Sequence, residues 1–394
     1  MIDHDLIQLE NGLTVFVIKR PGFESVDLTL YVKVGSAYED KENNGISHLL
    51  EHLLFYNRKK PELYPFGMEV GAYTKKDLTY YEAVISKKYI QEVLGSFQKI
   101  VFEPSFDSKV LEITKGITKE EIGETKDNPY EILNNRIDAH LYPETSIALP
   151  ILGTKDNIDN FDLNDLKKWY QEFYTPENMI FTVVGDVAIE EIKAWVEKHF
   201  NLDRVKTDPK TDIKIKRQKE NKELNIENEK FDRNYLALVY PLDKPFNLDF
   251  IIYAFLSHMI NQRLRPIIES SDLFYDMDFS YFYDLFRSEY QATVSSDPEN
   301  FNKIKSLMID EIENLDLSED FFKKTKDYFI NNLILKKDSL DQLSAITIYL
   351  LSSGNGIVNP EDEIKQVENI TLSQIKEMKE TLFNQDNRYF YSLK

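Results

Sequence analysis

His48-Leu49-Leu50-Glu51-His52 places two imidazoles and a carboxylate within five residues. On a helix His48 and His52 share a face, with Cβ atoms about 5–6 Å apart, so both can grip one metal ion. Glu51 emerges beside that pair, where its carboxylate can take a proton from a water polarised by the metal. The order H-x-x-E-H inverts the commoner H-E-x-x-H. Two nitrogens with a later carboxylate make the open three-ligand pattern of catalytic zinc. A single histidine on an apolar helix is usually packed core. Here Ile46, Leu49, Leu50, Leu53, Leu54 and Phe55 predict a helix that is buried nearly all round. Three polar side chains in that setting are costly unless paired or bound to metal.

A third ligand must come from elsewhere. In the helical stretch 107–126, Val110, Ile113 and Ile117 step at three and four residues and predict its buried face. Continuing that stripe reaches Glu121 and then Glu124, and the spacing leaves both open, as it leaves open a helix end turning into water. Around these two helices the patterning predicts strands at 13–18, 26–34, 69–74, 78–86 and 181–184, and helices near 88–101, 129–140, 163–173 and 188–200. A polar, lysine-rich run at 205–221 reads as a connector. Beyond it, strands at 222–228 and 233–241, a helix at 248–262, strands at 277–285 and 288–296 and a run of helices repeat the first half's order. The expected architecture is therefore α+β, with two structurally related halves (1–204 and 222–394), each a mostly antiparallel sheet with helices packed on one face. The second half has His258 on the matching helix with no partner at ligand spacing, and a packed histidine is expected there. His4, His140 and His199 have no constellation around them. The aromatic run from Phe279 to Phe286 reads as core strand.

The chain has 394 residues, 42% hydrophobic and 29% charged, ample for two cores. Its 48 basic against 68 acidic residues give a net charge of −20, which argues against a nucleic-acid partner. An acidic cavity would favour basic peptides. There is no cysteine, hence no disulfide and no thiol chemistry. The acidic N-terminal residues lack the pattern of a secretion signal, and no apolar run is long enough for a membrane span, so a cytoplasmic location without membrane partners is the expectation.

Gly35-Ser36-Ala37-Tyr38-Glu39 followed by Gly45-Ile46-Ser47-His48-Leu49-Leu50-Glu51-His52-Leu53-Leu54-Phe55 resembles the zinc region of pitrilysin/insulinase-type peptidases. Within that group it is similar to the branch that contains mitochondrial processing peptidase and its bacterial relatives. Further matches are Thr79-Tyr80, Glu120-Glu121-Ile122 with Asp127 and Pro129, Pro150 to Gly153, Tyr174 to Met179, and Val184-Gly185-Asp186. They keep their order over residues 1–200, and the match weakens beyond. The resemblance implies a metalloendopeptidase with one Zn2+ per chain, held by His48, His52 and Glu121, with Glu51 as base. It also implies an extended peptide substrate added to a sheet edge in a closable chamber, here along Gly71, Ala72 and Tyr73. Two competitors are a peptide-binding or scaffold protein of the same fold that hydrolyses nothing, and a zinc hydrolase of another amide.

Three departures matter. Thr114 stands where the family carries a supporting glutamate seven residues before the ligand, and it shares a helical face with Glu121. The family's Asn-Ala-x-Thr edge strand reads Gly71-Ala72-Tyr73-Thr74. In the second half the family supplies an Arg and a Tyr seven apart, but counting back from Tyr275 reaches Ile268. The expectation is therefore a homodimer or a heterodimer, with a related subunit supplying the Arg–Tyr pair. The competing possibility is that Arg263 or Arg265, together with Tyr275, fills the role.

Overall fold

The computed structural model describes residues 3–57, 69–200, 213, 215–227, 230–270, 273, 275–315, 317–336, 339–353 and 360–394. Two compact units emerge, and neither is contiguous. The first comprises 1–124, 144–214 and 337–348; the second comprises 125–143, 215–336 and 349–394. A division into successive halves at 204 and 222 does not anticipate these two exchanged segments. Most of the expected connector at 205–221 lies outside the described residues.

The first unit is built on a six-stranded sheet of β1 (His4–Gln8), β2 (Thr14–Lys19), β3 (Ser25–Val32), β4 (Glu69–Thr74), β5 (Thr79–Ser86) and β6 (Met179–Gly185). Their order is β1-β2-β6-β3-β5-β4, antiparallel except for the β2–β6 pair. Alternate residues of each strand face opposite sides. Val26, Leu28, Leu30 and Val32 of β3 join Tyr81, Ala83, Phe181 and Val183 in one apolar core. That core is closed by α1 (Ile46–Asn57), α2 (Ile90–Phe97), α3 (Ser108–Thr125) and, after α4 (Pro129–Leu141) and α5 (Lys155–Asn160), by α6 (Leu163–Phe173) and α7 (Ile189–Phe200). The opposite face carries Asp27, Thr29, Tyr31 and Thr182, all buried. Ser344 lies against it, its Oγ 3.2 Å from the Tyr31 hydroxyl and 2.5 Å from Thr182 Oγ1.

The second unit repeats the plan. Its strands β7 (Glu223–Ile226), β8 (Asn234–Pro241), β9 (Asp276–Tyr283), β10 (Ser288–Ser296) and β11 (Tyr389–Leu393) run in the order β7-β11-β8-β10-β9, with only β7–β11 parallel. Strand for strand this matches β2-β6-β3-β5-β4. The helix between β8 and β9 is α8 (Phe250–Ser270), in the place that α1 takes between β3 and β4. The remaining helices are α9 (Phe301–Glu313), α10 (Glu319–Lys336), α11 (Leu340–Ser352), α12 (Pro360–Asn369) and α13 (Leu372–Leu382). The two related halves are thus present.

Several elements differ from the sequence pattern, and α5 is a short helix where none was expected. β1 and β11 are strands where none was expected. α8 continues past 262, through Pro266, because its buried stripe of Phe255, Leu256, Met259 and Ile260 extends to Leu264. Among the described residues no helix is long and apolar enough to cross a membrane.

Candidate metal centre

α1 is fixed at its entry before its histidines appear. Glu39, buried at 3% exposure, accepts from Ser47 N on one oxygen (2.9 Å) and from Gly45 N and Asn44 Nδ2 on the other (2.8 and 2.9 Å). A helix start leaves donors unpaired and carries partial positive charge, so a buried carboxylate there is doubly stabilised. Gly45 has φ +96° and Gly153 φ +74°, and the two backbones cross so closely that a Cβ on Gly153 would lie 2.7 Å from Gly45 Cα. The indole of Trp169 donates to Ser47 Oγ at 3.2 Å. His48 is the next residue.

From this turn His48 and His52 project together, their Nε2 atoms 3.2 Å apart. Glu121 comes to them from α3: its Oε2 lies 3.6 Å from His48 Nε2 and 3.3 Å from His52 Nε2. Zinc ligands about 2.0–2.1 Å from a tetrahedral centre sit about 3.3–3.4 Å from one another. The three atoms are therefore placed as three corners of a zinc site. Among the described residues Glu121 Oε2 is buried without a hydrogen bond of good geometry, as an atom turned to a cation would be. Side-chain exposure rises from 10% at His48 to 18% at His52 and 35% at Glu121, so one side of the cluster is open. No other group of His, Cys, Asp and Glu among the described residues converges in this way. Glu124 is exposed and takes no part.

Electrostatics follow the burial. Burial lifts the Glu51 carboxyl to about 7, against the nearby His52 charge and a hydrogen bond from Thr74. His48 falls to about 4, chiefly through burial and then through its proximity to His52. Burial also works against a cationic His52, but the Glu121 and Glu51 carboxylates outweigh it and hold that imidazole above its usual range. Glu121 is pulled below the carboxylate range: burial pushes it upward, and the two imidazoles win.

The buried face of α3 is not the expected one. Ile113 is 47% exposed, and the inward residues are Leu111, Thr114, Lys115, Thr118 and Ile122. Two threonines in that stripe leave an apolar-only count out of phase. Thr114 shares the buried face near Glu121, but its hydroxyl donates to Leu111 O at 3.0 Å and supports its own helix.

These features agree with known proteins. Residues 14–155 match the family model described as Insulinase (Peptidase family M16), and residues 160–327 match the Peptidase M16 inactive domain. The chain belongs to the insulinase family of peptidases. An uncharacterized zinc protease of Bacillus subtilis, YmxG, is 29% identical over 196 residues, covering 47% of this chain and 48% of that protein. The probable zinc protease PqqL of Escherichia coli is 27% identical over 290 residues, 68% of this chain and 31% of PqqL. The beta subunit of bovine mitochondrial-processing peptidase is 27% identical over 199 residues, 49% of this chain and 40% of that one. The matches thus span about half or less of these relatives' length. In fold, a protease from Helicobacter pylori superposes with a TM-score of 0.90 at 20% identity over 100% of both chains. A putative M16-like peptidase from Alicyclobacillus acidocaldarius gives 0.85 at 17% identity over 100% of this chain and 98% of that one.

Elsewhere the M16 chain sorts the sequence expectations. Gly71, Ala72 and Tyr73 lie on β4, the edge strand beside α1. Tyr73 stacks on Tyr80, ring centroids 5.1 Å apart, and its ring folds over Gly71, where a Cβ would meet it at 2.5 Å. His258 is packed, stacked on Tyr328 and tilted against Phe329, both at 5.2 Å. Phe279 is core, but Phe282 in the same aromatic run is 46% exposed, because β9 is also an edge. Arg263 and Arg265 do not join Tyr275: they pair on the surface with Glu311 (3.1 Å) and Glu269 (2.7 Å). Tyr275 instead lies under the Arg233 guanidinium, 3.4 Å from its ring centre, and donates to Asp297. Sequence reasoning missed Glu39 and Thr74 as supports of the site. Both stood within quoted motifs, but neither contact falls at a helical or strand period.

Proposed function

We propose that this M16 chain is a zinc-dependent metalloendopeptidase subunit acting on unfolded or short peptides. The observation that carries this reading is the near-tetrahedral spacing of His48 Nε2, His52 Nε2 and Glu121 Oε2 beside a buried Glu51. Zinc bound there would supply Lewis-acid polarisation of the scissile carbonyl and acidify the attacking water. Glu51 takes the proton of that water and returns it to the leaving amine. The edge strand β4, at Gly71, Ala72 and Tyr73, receives the extended peptide backbone as an added strand. The surplus of acidic residues favours basic peptides. Because Arg263 and Arg265 are held by glutamates away from Tyr275, a related subunit supplies the Arg–Tyr pair.

The test is metal analysis and native mass on the purified chain, followed by digestion of a peptide library with and without the co-purifying subunit. His48→Ala, His52→Ala and Glu121→Ala should each lose most of the zinc. Glu51→Gln should keep the zinc and lose about 10²–10⁴ in turnover. Full activity in Glu51→Gln, or full zinc in Glu121→Ala, would sink the assignment. A wild-type chain that binds zinc and peptide yet cleaves nothing with any partner would mark a peptide-binding protein instead.

A further inference from the structure

Among the described residues Glu51 has one hydrogen-bond donor: Thr74 Oγ1, 3.1 Å from Glu51 Oε2. Thr74 is the last residue of β4, and that end of the edge strand is pinned from several sides. Lys75 N donates to Leu78 O at 2.7 Å and closes the turn into β5. Ser36 N and Ala37 N donate to the carbonyls of Lys75 and Lys76 at 3.0 and 2.8 Å. Gly35 permits this approach, since a Cβ there would lie 2.3 Å from Lys75 O. The buried Lys76 ammonium reaches Ile147 O and Leu149 O at 3.0 and 2.5 Å. The Thr74 hydroxyl is therefore carried by a backbone with little freedom.

We infer that Thr74 is a positioning residue for Glu51: its hydroxyl anchors Oε2 and leaves Oε1 directed to the metal centre as the proton acceptor. The anchor sits on the same strand as the preceding residues Gly71, Ala72 and Tyr73, to which the proposed function assigns the peptide. A buried carboxylate without its donor would lose that contact and could rotate away from its task. The substrate side of this inference rests on the peptidase reading; the anchor itself does not.

The deciding experiment uses the zinc-loaded full chain and a peptidyl hydroxamate, whose acidic proton needs an acceptor beside the metal. Its Kd is measured by calorimetry for wild type, Thr74→Val, Thr74→Ser, Glu51→Gln and the Thr74→Val/Glu51→Gln pair. Thr74→Val should weaken binding about tenfold with zinc content unchanged, and serine should restore it. In the Glu51→Gln background valine should cost nothing further, because there is no carboxylate left to orient. Equal losses in both backgrounds, or no loss in either, would overturn the inference. Where peptide turnover is measurable, Thr74→Val should lower kcat and leave KM in place. A chain that hydrolyses no peptide defeats the proposed function, while the hydroxamate cycle still decides Thr74.

Discussion

α1 and α8 stand at the same point of two matching sheets, and the contrast begins at their first turns. α1 is entered through a buried clamp of Glu39, the Gly45–Gly153 crossing and Trp169. α8 is entered through an exposed turn: Phe250 N donates to Asn247 O, and Asp249 N to Asn247 Oδ1 at 2.8 Å, with Leu248 41% exposed. One helix carries two histidines that must meet a third ligand to within tenths of an ångström, and the other carries one histidine that only has to pack. A metal centre tolerates little drift in its ligands, so the helix that builds it needs its entry fixed by the rest of the unit.

The second unit places its buried charge elsewhere. Arg287, between β9 and β10, reaches Asp138 of α4, Asp284 at 3.2 Å and Glu289 at 3.7 Å, and Tyr142 donates to Glu289. That cluster ties α4 to the sheet. Removing its one cation would strand three buried or nearly buried carboxylates. Arg287→Met should therefore destabilise the protein by about 3–5 kcal/mol while a zinc-loaded site keeps its metal. Denaturant unfolding with zinc analysis checks this, and a loss below about 1 kcal/mol would mean the network is dispensable.

A smaller effect sharpens the contrast between helix entries. Glu39→Ala should cost about 2–3 kcal/mol and weaken zinc binding, because three donors lose their shared acceptor. Asn247→Ala, at the corresponding entry to α8, should cost about 0.5–1 kcal/mol and leave zinc affinity unchanged. Chelator competition on the two variants reads this directly, and equal zinc affinities would remove the functional meaning of the clamp.

The smallest effect concerns His258, which burial, with a minor contribution from Lys336, holds at about 4 instead of 6.5. Below its ordinary value the unfolded chain takes up a proton that the folded chain refuses, so this residue erodes stability as pH falls from about 6.5 towards 4. Among the described residues His258 Nε2 is also buried without a hydrogen-bond partner. His258→Phe should match or slightly exceed wild type in Tm at pH 8, with the gap widening by pH 5 and zinc content unaltered. A gap independent of pH would show that the imidazole is not held neutral.

Much of this was legible in the chain itself. Helical period four puts His48 and His52 together, the apolar flank demands burial, and the family resemblance at the Glu-Glu-Ile triplet selects Glu121 as the third ligand. Strand alternation and the repeated order of elements gave the two related halves. What failed had a common cause. Ile113 was counted as core because it is apolar, yet Thr114 and Thr118 occupy the buried face. The competing possibility that Arg263 or Arg265 joins Tyr275 rests on distance along the chain alone, and their partners are Glu311 and Glu269. Local periodicity is set by backbone geometry within a few residues, so sequence determines which side chains share a face. Which faces meet is decided by burial and hydrogen bonding between segments far apart in the chain. Only the folded units could bring Glu121 within 3.3 Å of His52, 69 positions earlier in the chain, and hang Thr74 from a pinned edge strand beside Glu51.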